Sequence, residues 1–250
     1  MVSNMKYSLI IFAFLLGFAG LSAASAANDI GEGYAATNFK ELSQTMLLMG
    51  GLDINIPQVV DEYARLTYCG LYQQTFKNDF EWNKIRSQIV TRVLDKKEYY
   101  RVLYETTGVF KLGRYDSESR SFPFTPDSAM MNVGSMVLFS EAGYRSYCGL
   151  DGQSPVFSPN ISLNLNQPLT VSSLKLPQEE AEKLLARLAA MNNQDRQLYG
   201  RIRFRVTEAP GNTILFGQVQ RTVLRGDITA VDFFLDSEMM KQVASVPLAK

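Results

Sequence analysis

The chain has 250 residues, of which 25 are basic and 25 are acidic, so its formal net charge is zero. A neutral chain has no general electrostatic attraction to nucleic acid or to anionic lipid, and we therefore expect no nucleic-acid partner. Histidine is absent, which excludes Ser-His and Cys-His nucleophile pairs and every zinc site with an imidazole ligand. We predict no metal and no cofactor.

The N-terminal residues 1–26 have the pattern of a secretory signal peptide. Lys6 precedes an apolar run from Leu9 to Leu21, and small residues follow as far as Ala26. This run is shorter than the about 20 residues that a membrane-spanning helix needs, so we expect cleavage after Ala26 or Ala27 rather than an uncleaved anchor. The sequence therefore predicts export to the periplasm or the medium, with no integral membrane segment after cleavage.

The predicted mature chain divides into a short lead-in and one folded domain. Residues 27–36 are mostly small and polar and are expected to be flexible. Residues 37–250 are enough to bury one substantial core, and we expect a single domain. Helical periodicity marks its first part, 37–97, and β-branched and aromatic residues broken by turn clusters mark the second part, 98–250.

Three helices are predicted in the first part. Asn38 is suited to cap the first, which should stop at Gly50 and Gly51. Pro57 is suited to open the second, whose apolar spacing continues to Leu71. Asp79 is expected to cap the third, which has an apolar stripe and most of its basic residues away from that stripe.

A run of strands follows, interrupted by one helix at about 177–192 that Pro177 opens. A hairpin is expected around Arg225 and Gly226, and Ser237 should cap a short final helix. Helices followed by strands predict an α+β fold, with N-terminal helices packed on a mostly antiparallel sheet. The predicted strands are 99–105, 108–115, 120–124, 132–139, 144–149, 161–165, 169–174, 198–206, 213–224 and 227–235.

Three segments carry a resemblance to a known group of proteins. They are Asp79–Arg86, Leu112–Asp116 and the dipeptide Phe122-Pro123. These segments resemble parts of an uncharacterised exported bacterial protein family, a domain of unknown function. The resemblance implies bacterial export and implies no activity.

The tetrapeptide Tyr-Cys-Gly-Leu occurs twice, at 68–71 and 147–150, and contains the only two cysteines, Cys69 and Cys148. On the predicted second helix, Cys69 falls away from the apolar face, where a thiol buried as a small hydrophobe is not expected. In an oxidising compartment this favours a disulfide that joins the helical part to the sheet. The alternative is a pair of free or redox-active thiols. It is disfavoured because neither cysteine belongs to a C-x-x-C pair.

Possible binding residues come from two patterns. Nine of the twelve tyrosines lie between residues 63 and 147, and tyrosine suits protein interfaces and sugar surfaces. The basic face of the strand 198–206 could hold an acidic partner. The competing interpretations are an aromatic-rich core and a solvated sheet face paired with acids on neighbouring strands. The candidate binding residues are Tyr68, Tyr72, Tyr144, Tyr147, Arg201, Arg203 and Arg205.

Two functions are compatible with these features. The first is a non-enzymatic binding module of a bacterial envelope or secreted fraction, with another envelope protein or a glycan as its partner. The second is a histidine-free hydrolase that acts on envelope glycans or peptides through two facing carboxylates. No motif selects such a pair, and no catalytic residue is predicted.

Overall fold

After the two-residue strand Ala35–Ala36, four helices come first along the described part of the chain, and the other strands follow with one helix among them. The computed structural model describes residues 33–95, 101–140, 148, 156–158, 160–215 and 218–248, with the backbone alone for 213–215 and 218–220. The helices are α1 Phe39–Leu48, α2 Pro57–Thr67, α3 Cys69–Thr75, α4 Asp79–Leu94 and α5 Gln178–Ala190. The strands are β1 Ala35–Ala36, β2 Leu103–Lys111, β3 Ser121–Pro123, β4 Met130–Phe139, β5 Ile161–Val171, β6 Ser173–Lys175, β7 Gln197–Leu215, β8 Gln218–Phe234 and β9 Gln242–Pro247. The predicted signal peptide, the start of the lead-in and the predicted strand 144–149 except Cys148 lie outside the described residues.

One sheet of seven described strands is built around β7 and β8. Its order is β1-β2-β7-β8-β5-β4, and β9 pairs with β8 beyond the end of β5. The pairs β1–β2 and β5–β8 are parallel and the other pairs are antiparallel. β3 and β6 form a separate two-stranded antiparallel sheet. The predicted α+β class, with a mostly antiparallel sheet and one helix inserted among the strands, is confirmed.

Local capping explains where the N-terminal helices begin. The Asn38 side chain accepts a hydrogen bond of 2.9 Å from the backbone N–H of Glu41, as expected for a capping residue. Pro57 occupies the first position of α2. The predicted cap of α4 was wrong by one residue: Asn78 is the cap and accepts from the Glu81 N–H at 3.2 Å. An amide side chain can fill this role as well as a carboxylate, so composition did not distinguish the two positions.

The predicted second helix is interrupted at Tyr68. α2 ends at Thr67, Tyr68 has non-helical dihedral angles of −133° and 46°, and α3 starts at Cys69. The Thr67 hydroxyl donates to the Tyr63 carbonyl at 2.6 Å, a side-chain bond that competes with the backbone ladder at a helix end. The apolar spacing continues across the interruption, which is why periodicity alone predicted one helix.

Two predicted breaks, between strands 99–105 and 108–115 and between 161–165 and 169–174, do not occur, and the last residues of 169–174 belong to β6. β2 runs through Gly108, which lies opposite Gly200 of β7. The Phe110 ring occupies the space where a Gly200 side chain would start, so these glycines make room for an aromatic ring and do not end a strand. β5 likewise continues through Pro168. The nearest residues of β5 that pair with a neighbouring strand are Leu165 and Leu169, so the missing N–H of the proline interrupts no sheet hydrogen bond.

The predicted hairpin around Arg225 and Gly226 is wrong, because both residues lie inside β8. A Cβ atom on Gly226 would overlap the carbonyl oxygen of Arg205 on β7. Glycine is therefore required here by the close approach of two backbones and not by a turn. β7 ends at Leu215 and β8 begins at Gln218, and the two residues between them lie outside the described part of the chain.

The predicted final helix after Ser237 is also wrong. Asp236 instead accepts hydrogen bonds from the backbone N–H groups of Met240 at 2.8 Å and Lys241 at 3.0 Å. This side chain closes a turn, and the chain then returns as β9 along the edge of β8. A turn-forming Asp one position earlier outweighed the helix-capping potential of Ser237.

The N-terminal helices pack on one face of the sheet. Thr45 of α1 and Tyr104 of β2, both buried, have their hydroxyl oxygens 2.6 Å apart. Phe39 of α1 makes a tilted ring contact with Phe139 of β4 at 5.6 Å. None of the helices in the described part of the chain has the length and apolar character to cross a membrane.

Candidate binding groove

A groove lies between α3 and α4. Its volume is about 450 Å³, and it is lined by Tyr68, Leu71, Ile85, Gln88, Ile89 and Arg92. The spacing of the lining residues on α4 explains their common face, because positions three and four apart on a helix are neighbours. The break at Tyr68 brings the start of α3 alongside this face. We call this site the apolar groove.

A second groove adjoins the first and is more polar. It has a volume of about 240 Å³ and is lined by Lys40, Gln44, Tyr63, Tyr68, Arg92 and Val93. Tyr68 and Arg92 line both sites, so an apolar compartment and a more polar compartment lie side by side. We call this second site the polar groove.

The exposed side of α4 forms a third depression. Its volume is about 550 Å³, and its lining residues are Lys84, Ser87, Gln88, Thr91, Arg92 and Asp95. Gln88 and Arg92 are common to this depression and the apolar groove. Polar side chains therefore follow α4 from the outer surface into the groove.

Three cations surround these grooves without a counter-ion in the described part of the chain. Lys40 is exposed and lies 5.3 Å from the centre of the Tyr68 ring, a cation–π contact at the junction of the two grooves. Lys84 and Arg92 are exposed and form none of the described ion pairs. Among the residues that the structure describes, Asp95 is the one carboxylate that lines any of the three grooves. The local charge is thus positive, although the whole chain is neutral.

Tyr63 forms an apolar wall of the polar groove. It is 1% exposed and meets Tyr68 edge to face at 6.2 Å. Burial, and next the neighbouring Tyr68, raise the pKa of the Tyr63 hydroxyl. This hydroxyl therefore remains protonated at neutral pH and does not add a negative charge to the grooves.

Asp61 of α2 holds α4 in place behind the apolar groove. Its carboxylate accepts from the Trp82 indole N–H at 2.8 Å and from the Arg86 guanidinium at 2.8 and 2.9 Å. Trp82 in turn meets Tyr72 of α3 edge to face at 5.2 Å. These contacts fix the spacing of the two helices that form the groove.

The disulfide predicted from the paired tetrapeptides is present. Cys69 and Cys148 are bonded, with their Cα atoms 5.2 Å apart and a sequence separation of 79. The alternative of two free thiols does not occur. Cys69 is the first residue of α3 and follows Tyr68 directly, so the cross-link anchors the chain where both grooves meet.

The predicted binding tyrosines have different locations. Tyr68 lines both the apolar and the polar groove. Tyr72 lies nearby in an aromatic cluster, stacked on Phe76 at 4.3 Å, and burial raises the pKa of its hydroxyl. Tyr144 and Tyr147 lie outside the described residues.

The predicted binding arginines lie on β7 and not in the grooves. Arg201 approaches Glu105 of β2 at 3.6 Å, and Arg203 approaches Asp232 of β8 at 3.2 Å. Arg205 is exposed. Two of the three guanidinium groups are therefore paired with carboxylates on the neighbouring strands.

Glu105 and Asp232 are two buried acids that both contact the guanidinium group of Arg203, at 3.9 and 3.2 Å. Burial raises the pKa of Glu105, Asp232 acts in the same direction, and the arginines Arg201 and Arg203 oppose the rise. Neither acid lines any of the three grooves. Two carboxylates and two guanidinium groups neutralise one another, as is typical of a structural cluster in a sheet.

Most of the groove residues were not singled out by sequence reasoning. Ile85 and Ile89 belong to the apolar stripe predicted for this helix, yet Ile85 is only half-buried and lines the groove. Nothing in the sequence distinguishes a stripe that is fully covered from one that leaves a groove. Lys40 and Arg92 come from different helices, so their proximity is a property of the packing.

A family profile described as Domain of unknown function (DUF4852) matches residues 57–187, just over half of the 250-residue chain. The chain belongs to this family. The predicted resemblance to an uncharacterised family is confirmed, and membership of DUF4852 implies no activity. The DUF4852 match runs from α2 to α5 and includes both cysteines and the whole lining of the apolar groove, but not Lys40 or Gln44. No curated protein and no solved structure matches the chain significantly.

Proposed function

We propose that the protein is an exported, non-enzymatic binding module of a bacterial envelope or secreted fraction, and that it binds another protein or a glycan in the joined grooves. The observation that carries this proposal is the apolar groove of about 450 Å³. This volume lies in the range of about 300–1,000 Å³ found for preformed ligand sites. Its apolar side chains are accompanied by a few polar groups that can orient a ligand.

The composition of the grooves supports binding over hydrolysis. Hydrolysis through two carboxylates requires both acids to face one substrate. The three grooves contain a single carboxylate, Asp95. The buried acids Glu105 and Asp232 are paired with arginines in the sheet, so among the described residues the hydrolase alternative has no pair of acids in any of these three grooves to support it.

Export is supported by the leader pattern of the sequence and by the disulfide. Disulfides persist in oxidising compartments such as the periplasm. Cell fractionation and intact mass measurement test this part of the proposal. A chain beginning at Ala27 or Asn28 in the periplasm or medium is expected, and a full-length chain in the cytoplasm contradicts it.

Binding in the apolar groove is tested with N-phenyl-1-naphthylamine, an uncharged apolar dye whose fluorescence rises on leaving water. Replacing Ile85 by Glu places a charge in the groove and should weaken dye binding at least about tenfold, because burying an unpaired charge is costly. Leu71→Glu provides a second variant at a more exposed position, 37% accessible. Circular dichroism verifies that both variants fold.

The matched control is Val137→Glu on β4, where the side chain is 59% exposed and lies outside the grooves. This variant should bind the dye as the unmodified protein does. Equal binding by all variants contradicts the location of the site. A photoreactive residue at Leu71, compared with one at Val137, then shows whether the cellular ligand is a protein or a glycan.

A further inference from the structure

The charge around the grooves limits the class of ligand, provided that the proposed binding function holds. The cations Lys40, Lys84 and Arg92 form none of the described ion pairs, and Asp95 is the one carboxylate among the described lining residues. The whole chain carries equal numbers of basic and acidic residues. A local excess of positive charge at an apolar site favours a ligand that is both apolar and anionic.

Spacing along α4 adds a geometric constraint. Lys84, Gln88 and Arg92 follow one another at intervals of four residues and therefore form one stripe beside the groove. A helix rises about 1.5 Å per residue, which places Lys84 and Arg92 about 12 Å apart along the axis. An extended peptide advances about 3.3 Å per residue, so carboxylates four residues apart span this distance.

From the charge and the spacing we infer that the apolar groove binds an extended peptide segment of a partner protein, with an apolar side chain midway between two acidic residues. The apolar side chain enters between Leu71 and Ile85, and the acidic residues meet Lys84 and Arg92. The Gln88 amide, which can donate and accept, lies where the peptide backbone passes.

The groove is less suited to a glycan. Sugar rings stack on open aromatic faces, and Tyr68 is the one aromatic side chain that lines the apolar groove. Lys40 covers one face of its ring at 5.3 Å, and the Tyr63 ring approaches it at 6.2 Å. The remaining floor of the groove is aliphatic, formed by Leu71, Ile85 and Ile89.

The test is competition for bound N-phenyl-1-naphthylamine by synthetic peptides at low salt. The probe is acetyl-Gly-Glu-Ala-Leu-Ala-Glu-Gly-amide, and the matched peptide has Gln in place of both Glu residues. Two exposed ion pairs should make the acidic peptide bind about fivefold more tightly, and this preference should shrink as salt is added. Lys84→Gln and Arg92→Gln should each remove about half of the preference, measured within one variant as the ratio of the two peptides' competition so that any change in dye affinity cancels. Arg187→Gln, on the exposed side of α5, should leave this ratio unchanged.

The outcomes separate this inference from the function on which it rests. If the acidic peptide and its Gln counterpart compete equally while Ile85→Glu still weakens dye binding, the preference for an acidic ligand is wrong, but the groove remains a binding site. Absence of dye binding overturns the proposed function itself. Competition by neutral chitotetraose and not by the acidic peptide overturns the peptide in favour of a glycan.

A second copy of the chain is the remaining occupant to be tested. Phe80 lies between Asp79 and Glu81 on the first turn of α4 and is 90% exposed, so the protein itself presents an apolar side chain beside two acids. Sedimentation equilibrium is expected to show a monomer. Association that increases with concentration and disappears in Phe80→Ala overturns the partner peptide in favour of self-association.

Discussion

Removal of the disulfide by the double substitution C69A/C148A should cost a large part of the stability of the protein. The bond closes a loop with a sequence separation of 79. In the chain-entropy relation, a loop of this length lowers the conformational entropy of the unfolded chain by an amount worth about 4.5 kcal/mol at 25 °C. Folded domains are stable by only about 5–15 kcal/mol, so the variant should be close to the limit of folding.

Urea unfolding measures this effect directly. Trp82 is the only tryptophan of the chain and is 3% exposed, so its fluorescence reports the transition. We expect the free energy of unfolding to fall by about 2–4.5 kcal/mol. We also expect the dependence on urea to become steeper, because the unfolded chain without the cross-link exposes more surface. The unmodified protein in reductant should behave like the variant.

If the free energies of unfolding of the variant and the unmodified protein differ by less than about 0.5 kcal/mol and the urea dependence is unchanged, the reasoning is refuted. The bond would then not constrain the unfolded chain. Two alanines replace two half-buried cysteines, so little packing is lost with the sulfur atoms. The comparison with reduced protein removes this contribution, because the reduced chain keeps both cysteine side chains.

Tyr104→Phe should lower the free energy of unfolding at pH 8 by about 1 kcal/mol, because the hydroxyl that lies 2.6 Å from Thr45 is lost. Burial raises the pKa of Tyr104 to about 12. The buried neutral hydroxyl therefore stabilises the fold fully below pH 10, and this contribution is lost as the pH rises towards 12. Between pH 9 and pH 12, the free energy of unfolding in urea should fall less in the variant than in the unmodified protein. Gly226→Ala should destabilise the protein by about 2–3 kcal/mol in the same assay, because the new methyl group overlaps the Arg205 carbonyl in the sheet.

Each of these two substitutions has its own contradicting result. An alkaline loss of stability that is the same with and without the Tyr104 hydroxyl shows that other groups cause it. Gly134→Ala on β4 is the control for Gly226→Ala, because a Cβ atom there meets nothing within 4 Å. The control should change stability by less than about 0.5 kcal/mol, and equal effects at both glycines contradict the overlap.

Local signals predicted those parts of the fold that depend on neighbouring residues. Asn38 and Pro57 marked the starts of α1 and α2 because capping and the fixed φ of proline act within one turn. The disulfide between Cys69 and Cys148 followed from there being two cysteines and an inferred oxidising compartment.

The errors arose where distant segments decide the structure. Gly226 has the composition of a turn, but its role is set by a strand about twenty residues away, whose Arg205 carbonyl occupies the space of a side chain. The grooves depend on how α1, α3 and α4 are placed relative to one another. Tyr68 was predicted as a binding residue because of its type, whereas Arg92 had no distinguishing local signal.

The position of β8 in the sheet has a consequence for the order in which the protein can fold. β8 pairs with β7 on one side and with both β5 and β9 on the other. Because β7 and β8 follow residue 196, β2 and the β4–β5 pair have no central strands to join until the C-terminal part of the chain has been synthesised. Such late, long-range pairing is slow to form, which suits a chain that, in the proposed export, crosses a membrane before its sheet closes.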